Sequence, residues 1–118
     1  MPALTAGRIL WVDFRRDAAP KEANKLRPAI VVEDSGLFAE EYPNVVVVPC
    51  TTTLTFEVRD LCVQIAPDER NGFDRTNWAI AHNVTTASKA RIVKQTDYHI
   101  SSGHLDEIRA RIVEMLGR

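Results

Sequence analysis

The sequence has few cysteines, no long apolar run and almost no net charge, and each of these shortages excludes a class of protein. Two cysteines in 118 residues exclude a disulfide-rich scaffold, and without CxxC spacing they form no zinc motif. No apolar run approaches the roughly 20 residues that a bilayer requires. The N-terminal residues also lack the charged segment and long apolar stretch of a secretory signal. We therefore expect a cytoplasmic protein without membrane attachment.

The composition is otherwise that of one ordinary globular domain, which we take to span residues 1–118. Apolar residues make up 45% and charged residues 26%, which excludes a disordered or fibrous chain. The net charge of −1 gives no overall attraction to nucleic acid, so an anion-binding role requires local clustering of charge. Cys50 and Cys62 lie in apolar runs, and we expect them to be reduced thiols in the core.

The hydrophobic pattern predicts a mainly β protein that ends in an α-helix. Strand-like segments occur at residues 9–14, 28–32, 45–48, 56–65, 78–84 and 90–93, whereas residues 85–89 suggest a turn or one helical turn. Apolar residues recur at helical spacing from Leu105 to Leu116, with Ser101 or Ser102 as the cap and Gly117 as the stop. Five or six strands followed by one helix indicate a small antiparallel barrel rather than a doubly wound sheet.

A polar connection over residues 15–26 separates the first two predicted strands and is much longer than a tight hairpin turn. Its basic residues, counted with the adjoining arginine, outnumber its acidic ones: Arg15, Arg16, Lys21, Lys25 and Arg27 against Asp17 and Glu22. The connection therefore concentrates positive charge in a chain that is otherwise slightly acidic. Long loops in small domains often carry function.

Motifs for phosphate loops, dinucleotide binding, serine hydrolases and zinc proteases are all absent from the sequence. Three other segments stand out: Gly7-Arg-Ile-Leu-Trp-Val-Asp-Phe14, Glu22-Ala-Asn-Lys-Leu-Arg-Pro-Ala-Ile-Val-Val32 and Val48-Pro-Cys-Thr-Thr52. In order and spacing, this combination resembles the MazF/PemK (Kid) family of toxin endoribonucleases. The later Ala81-His82-Asn83 segment and the C-terminal helix fall in the same order, so the resemblance covers nearly the whole chain.

The resemblance implies both a fold and an activity. The family fold is a small SH3-like antiparallel barrel with a terminal helix, as in CcdB and PemK proteins, and the family assembles as homodimers. Its activity is cleavage of single-stranded RNA, including mRNA, at short sequence motifs without a metal ion or other cofactor. The implied products carry a 2′,3′-cyclic phosphate, or a 3′-phosphate, and a 5′-hydroxyl. A cognate antitoxin neutralises the toxin.

Carried over residue by residue, the resemblance makes Arg27 and Thr51 the catalytic pair, and Glu22 a loop glutamate that positions the arginine. The chemistry agrees, because a guanidinium supplies a fixed charge and forked donors suited to phosphate. A threonine hydroxyl can donate to a phosphate oxygen or to the leaving oxygen. The other residues that we expect to bind substrate are Lys25, Thr52, Asn83, Lys89 and Arg91.

His82 is where the chain departs from its family, since members often carry an aspartate before Gln or Asn at this point. Histidine exchanges protons near neutral pH, because its unperturbed pKa is about 6.5. His82 is therefore a candidate general acid or base, and we expect it to be a catalytic residue beside Arg27 and Thr51. The alternative is that His82 hydrogen-bonds bases or the partner subunit.

Several features have an ordinary structural interpretation beside the functional one. Lys89, Arg91 and Lys94 can track an RNA backbone or protect a strand edge. For Trp11 and Trp78, packing is favoured over base stacking.

Two other functions also stay open: a CcdB-like poison of DNA gyrase, although this chain lacks that group's Trp-Gly-Ile tail, and an inactive barrel that only binds RNA or protein.

Overall fold

The computed structural model describes residues 4–14 and 26–117. Within them the chain forms seven strands and one α-helix: β1 (Arg8–Asp13), β2 (Leu26–Val31), β3 (Asn44–Thr51), β4 (Cys62–Ile65), β5 (Asn77–Ile80), β6 (Thr85–Ser88), β7 (Ile92–His99) and α1 (Ser102–Met115). Every pairing between strands is antiparallel. The predicted fold class, mainly β with a C-terminal helix, is confirmed.

The sheet is organised around β3. Its strand order is β4-β5-β3-β2-β1-β7, and β6 also pairs with β3. One edge of β3 pairs with β2, and the other edge pairs with β6 and then with β5. Across the described residues no pairing joins β4 to β7, so the sheet is barrel-like but not closed.

The β-branched run at the centre of β3 explains its central position. Val45, Val47 and Val48 are fully buried, as expected for β-branched residues packed on both faces of a sheet. One apolar cluster includes Ile30, Val48 and Ile108, the fully buried residue of α1, so the helix covers that face. The opposite face packs a second cluster that includes Leu10, Val12, Ala29, Val31 and Val47.

The predicted strand over residues 56–65 is wrong in its first half. Only Cys62–Ile65 is a strand, and Arg59–Leu61 forms a 3₁₀ turn before it. The alternating apolar residues of the first half do not enter the core: Phe56 is 98% exposed and Val58 is exposed too. The backbone of this segment is tied locally, since Thr55 N–H donates to the Glu57 carboxylate. Alternation alone cannot tell a half-buried strand from such a loop.

The predicted strand over residues 78–84 also ends early, at Ile80. Ala79 of β5 pairs with Cys50, and Thr85 of β6 pairs with Val47. The two pairs are therefore six residues apart from β5 to β6 but only three residues apart along β3. The extra residues form a 3₁₀ turn, Ala81–Asn83, that bulges from the edge of β3. The chain then returns to the same edge as β6, where the sequence suggested a turn.

The C-terminal part follows the prediction more closely. β7 begins at Ile92 and continues to His99, beyond the predicted residues 90–93. Ser101 caps α1 by accepting a hydrogen bond from His104 N–H, and Gly117 follows the helix with φ of 93°. Cys50 and Cys62 are both buried and unpaired, as predicted. No helix in the described stretches is long and apolar enough to cross a membrane.

Candidate active site

A cleft of about 270 Å³ opens where β2 begins and β3 ends. The two strands are antiparallel, with Ala29 opposite Pro49, so the first residues of β2 and the last residues of β3 lie at the same end of the sheet. The lining residues are Leu26, Arg27, Pro28, Cys50, Thr51, Thr52 and Asn77. The structure therefore brings Arg27 together with Thr51 and Thr52, which follow it by 24 and 25 positions in sequence.

Arg27 is half-buried near the start of β2, opposite Val12 of β1. The following Pro28 has no N–H to donate, and proline of this kind is tolerated near the start of a strand. Arg27 thus lies at the end of an interior strand, and it lines the cleft. A fixed cation in this position suits the binding of a phosphate group.

Thr51 is the last residue of β3, and its hydroxyl is held by a local turn. Thr51 Oγ1 donates to Thr53 O at 3.0 Å and accepts from Thr53 N–H at 3.2 Å. A hydroxyl has one proton, so Thr51 can donate to a bound anion only by turning that proton away from the Thr53 carbonyl. This requires rotation of one bond and no movement of the backbone.

Glu57 is a charged residue of this region that the sequence interpretation missed. The backbone N–H of Thr55 donates to Glu57 Oε1 at 2.6 Å and holds the pKa of that carboxyl below its ordinary value. The charge of Arg27 acts in the same direction, more weakly than the hydrogen bond from Thr55. Glu57 lies in the segment expected to be a strand, and no local pattern in the sequence distinguishes it from the other acidic residues.

The cleft also contains a thiol and an amide. Burial raises the pKa of Cys50 to about 12, so this thiol stays neutral and acts as an apolar wall. The side chain of Asn77 is buried, and its Nδ2 donates to Arg75 O at 3.2 Å. Across residues 4–14 and 26–117, no group of three or more His, Cys, Asp or Glu side chains is arranged to hold a metal ion.

His82 lies in the bulge after β5 and is not one of the residues that line the cleft. Its Nε2 accepts a hydrogen bond from the backbone N–H of Val58 at 3.2 Å, so the neutral ring carries its proton on Nδ1. Nδ1 is buried, without a hydrogen-bond partner in the described part of the chain. His82 thus supports the segment that carries Glu57, and its role in proton transfer stays a prediction.

The remaining predicted binding residues are dispersed. Asn83 is exposed in the bulge. Lys89 Nζ donates to Glu40 O at 2.8 Å, at the end of β3 opposite to Thr51. Arg91 donates to Asp13 O at 3.4 Å and lies beside Ile92, which is two strands from Arg27 across the sheet. The structure therefore does not gather these three residues at the cleft.

Two predicted site residues, Glu22 and Lys25, fall outside the described residues, as does most of the basic connection between β1 and β2. Their assignment as substrate-binding residues stays a prediction.

Solved structures with the same fold cover essentially the whole chain. MazF from Deinococcus radiodurans superposes with a TM-score of 0.77 at 16% sequence identity, covering 100% of both chains. An endoribonuclease in complex with its cognate antitoxin, from a mycobacterial species, gives 0.71 at 18% identity and covers 99% of this chain and 96% of that one. The Mycobacterium tuberculosis toxin MazF-mt6 gives 0.69 at 18% identity, covering 92% and 95%.

At these identities the structural likeness establishes the fold, and the family follows from sequence. No individual protein of curated function matches the chain. A family profile described as the PemK-like, MazF-like toxin of type II toxin–antitoxin systems matches residues 5–116, a range that includes both Arg27 and Thr51. The chain therefore belongs to the PemK-like, MazF-like family of toxins of type II toxin–antitoxin systems.

Proposed function

We propose that this protein is an endoribonuclease toxin that cleaves single-stranded RNA, including mRNA, at short sequence motifs without a metal ion. The observation that carries the proposal is the cleft that places the Arg27 guanidinium and the Thr51 hydroxyl at one end of the sheet. Family membership supports it, and a mycobacterial protein of the same fold is described as an endoribonuclease.

In the proposed reaction, the 2′-hydroxyl of one nucleotide attacks the adjacent phosphorus. The bond from O2′ to phosphorus forms, the bond from phosphorus to O5′ breaks, the 2′-hydroxyl loses its proton and the leaving O5′ gains one. Extra negative charge develops on the non-bridging oxygens, where the Arg27 guanidinium stabilises it more strongly than in the ground state. Thr51 turns its O–H from Thr53 to one of these oxygens. The products are a 2′,3′-cyclic phosphate and a 5′-hydroxyl.

We assign Glu57 to the orientation of Arg27. Its lowered pKa keeps the carboxylate ionised at neutral pH, and a weakly basic carboxylate is better suited to hold a guanidinium than to remove a proton. The resemblance gave this positioning role to Glu22. Glu57 is a second candidate for it, because the hydrogen bond from Thr55 and, more weakly, the charge of Arg27 lower the pKa of its carboxyl.

His82 is proposed as a positioning residue that holds Val58, and through it the neighbouring Glu57. Replacing His82 by alanine should lower the single-turnover cleavage rate about tenfold, because small displacements near a reacting centre are costly. Since no proton transfer is lost, the pH profile from pH 5 to 9 should keep its shape. His82→Gln, whose side-chain oxygen can also accept from Val58 N–H, should recover most of the rate.

The same measurement can contradict that role. Loss of one limb of the pH profile in His82→Ala, with a fall in rate of about 10²–10⁴, would identify His82 as a general acid or base.

We further propose that the toxin acts in the cytoplasm as a homodimer and is neutralised by a cognate antitoxin. A protein of the same fold is known in complex with its cognate antitoxin. A single cleft of about 270 Å³ is small for several nucleotides, and a second copy would extend it. Light scattering at micromolar concentration should give twice the mass of the chain; the mass of a monomer would contradict the homodimer.

The proposed activity is tested by incubating the purified protein with several long single-stranded RNAs in excess EDTA. We expect discrete fragments whose ends share a short motif, at a rate that EDTA does not change. Loss of cleavage on chelation would contradict the metal-independent reaction. Intact RNA throughout would contradict the nuclease and leave the two alternatives, a poison of DNA gyrase or an inactive binding protein.

A further inference from the structure

Trp78 lies directly beside the candidate active site and carries a cation on its ring. In the register between β3 and β5 it is opposite Thr51, which places the two Cα atoms about 5 Å apart in antiparallel strands. The Arg59 guanidinium carbon lies 4.7 Å from the centroid of the Trp78 ring. A half-buried indole with a guanidinium stacked on it is thus the next surface along the sheet from Thr51.

The Trp78–Arg59 pair borders a second cavity, of about 420 Å³, between the sheet and α1. Its lining residues are Arg59, Asp60, Cys62, Trp78, Arg111 and Glu114. The charge of Arg111 is paired with the carboxylates of Glu114, at 3.4 Å, and Glu107, at 3.8 Å. Its Nε is buried without a hydrogen-bond partner in the described residues. Arg59, by contrast, forms no ion pair with any described residue, so its charge is available to an incoming anion.

We propose that the Trp78–Arg59 pair binds one unpaired nucleotide adjacent to the scissile phosphate. This inference rests on the proposed function. A planar guanidinium over an indole offers a charged planar group beside an aromatic ring, and single-stranded RNA is recognised by bases that stack on aromatic rings and on arginine planes. The same cation can pair with the phosphate of the stacked nucleotide.

The position of the pair favours RNA over a peptide as the occupant. Trp78 and Thr51 are neighbours on adjacent strands, so an RNA strand with its scissile phosphate at Thr51 must place a flanking nucleotide close to Trp78. Stacking accepts every base, because each base has a π face. The pair is therefore expected to contribute affinity at a defined position and to add little to motif choice.

The test uses a short single-stranded oligonucleotide taken from a mapped cleavage site, with a 2′-deoxy sugar at the scissile position so that it binds without being cut. Dissociation constants are measured by fluorescence anisotropy for the wild type, Trp78→Ala, Trp78→Phe and Arg59→Ala. Arg70→Ala is the control, since Arg70 is an exposed arginine in the loop between β4 and β5. Binding is also measured for a set of oligonucleotides in which an abasic nucleotide replaces each flanking nucleotide in turn.

Trp78→Ala should weaken binding about 10- to 100-fold, the range for losing one stacked base, and Trp78→Phe should weaken it less. In the wild type, an abasic nucleotide at one flanking position should weaken binding by a similar factor. An abasic nucleotide at the same position should not weaken the binding of Trp78→Ala any further. Arg59→Ala should also weaken binding, by about tenfold or more, because it removes the cation that pairs with the phosphate of the stacked nucleotide. Arg70→Ala should bind like the wild type.

The outcomes separate this inference from the proposed function. In one outcome, the wild type cleaves RNA while an abasic nucleotide weakens its binding equally at every flanking position. That result would overturn the subsite but not the nuclease, and it does not depend on the folding of Trp78→Ala. Loss of binding to an acidic peptide in Trp78→Ala and Arg59→Ala, with oligonucleotide affinity unchanged, would identify a protein as the occupant instead. Absence of cleavage by the wild type would overturn both proposals.

Discussion

Replacing Arg27 by alanine should lower the single-turnover rate of RNA cleavage by about 10²–10³-fold, with little change in affinity for RNA. This is the usual cost of removing one group that stabilises charge developed in the transition state. Arg27 is the guanidinium lining the cleft, and the charge it stabilises on the phosphoryl oxygens is greater in the transition state than in the bound substrate. Rates should be measured at saturating protein on one short oligonucleotide.

Two further variants separate the roles of charge and geometry. Arg27→Lys keeps the positive charge but loses the planar fork, so we expect it to recover only a small part of the rate. Arg70→Ala removes an exposed arginine away from the cleft and should retain full activity. Near-normal cleavage by Arg27→Ala, in a protein that melts like the wild type, would remove the centre of the proposed mechanism.

Replacing Thr51 by valine should lower the cleavage rate by about 10- to 100-fold. The substitution keeps the branched shape at the end of β3 and removes only the hydroxyl, whose hydrogen bond to a charged phosphate oxygen is worth roughly 1.5–3 kcal/mol. It also removes the local turn between Thr51 and Thr53, so folding should be compared by thermal melting. Thr51→Ser restores the hydroxyl and should restore most of the rate.

The double variant Arg27→Ala with Thr51→Val tests whether the two groups act on one phosphate. Residues that act as a unit are non-additive, so the combined loss should be clearly smaller than the product of the two single losses. Fully multiplicative losses would indicate that Arg27 and Thr51 contact different parts of the RNA.

The two strands that carry Arg27 and Thr51 were predictable from regular features of the sequence, whereas the pair itself came from the resemblance to the family. The β-branched run that forms β3 and the apolar residues around Pro28 define two adjacent strands, and antiparallel pairing brings the start of one to the end of the other. The helical spacing of Ile108 and its neighbours likewise predicts α1. Recognition of the family supplied the role of each residue, which spacing alone does not define.

The contacts that sequence interpretation missed are set by non-local folding. Glu57 accepts its hydrogen bond from Thr55 in a loop that follows β3, although the alternation from residue 56 onward suggested a strand. β5 and β6 pair with β3 in different registers, so the residues between them, His82 among them, form a turn outside the sheet. In that turn the His82 ring accepts a hydrogen bond from Val58 N–H. The stacking of Arg59 on Trp78 joins a 3₁₀ turn to a strand 19 positions away. Hydrophobic periodicity carries no information about such contacts.

The most direct test of the central claim is the chemistry of the cut ends. An oligonucleotide that contains a mapped site is incubated with the protein in EDTA, and the masses of the products are measured by mass spectrometry. A second oligonucleotide, identical except for a 2′-deoxy sugar at the scissile position, is treated in the same way. Attack by the 2′-hydroxyl in the Arg27–Thr51 cleft predicts a 2′,3′-cyclic phosphate and a 5′-hydroxyl from the ribose substrate, and no cleavage of the deoxy copy. Fragments with 5′-phosphate ends, or cleavage of the deoxy copy at the same site, would contradict it.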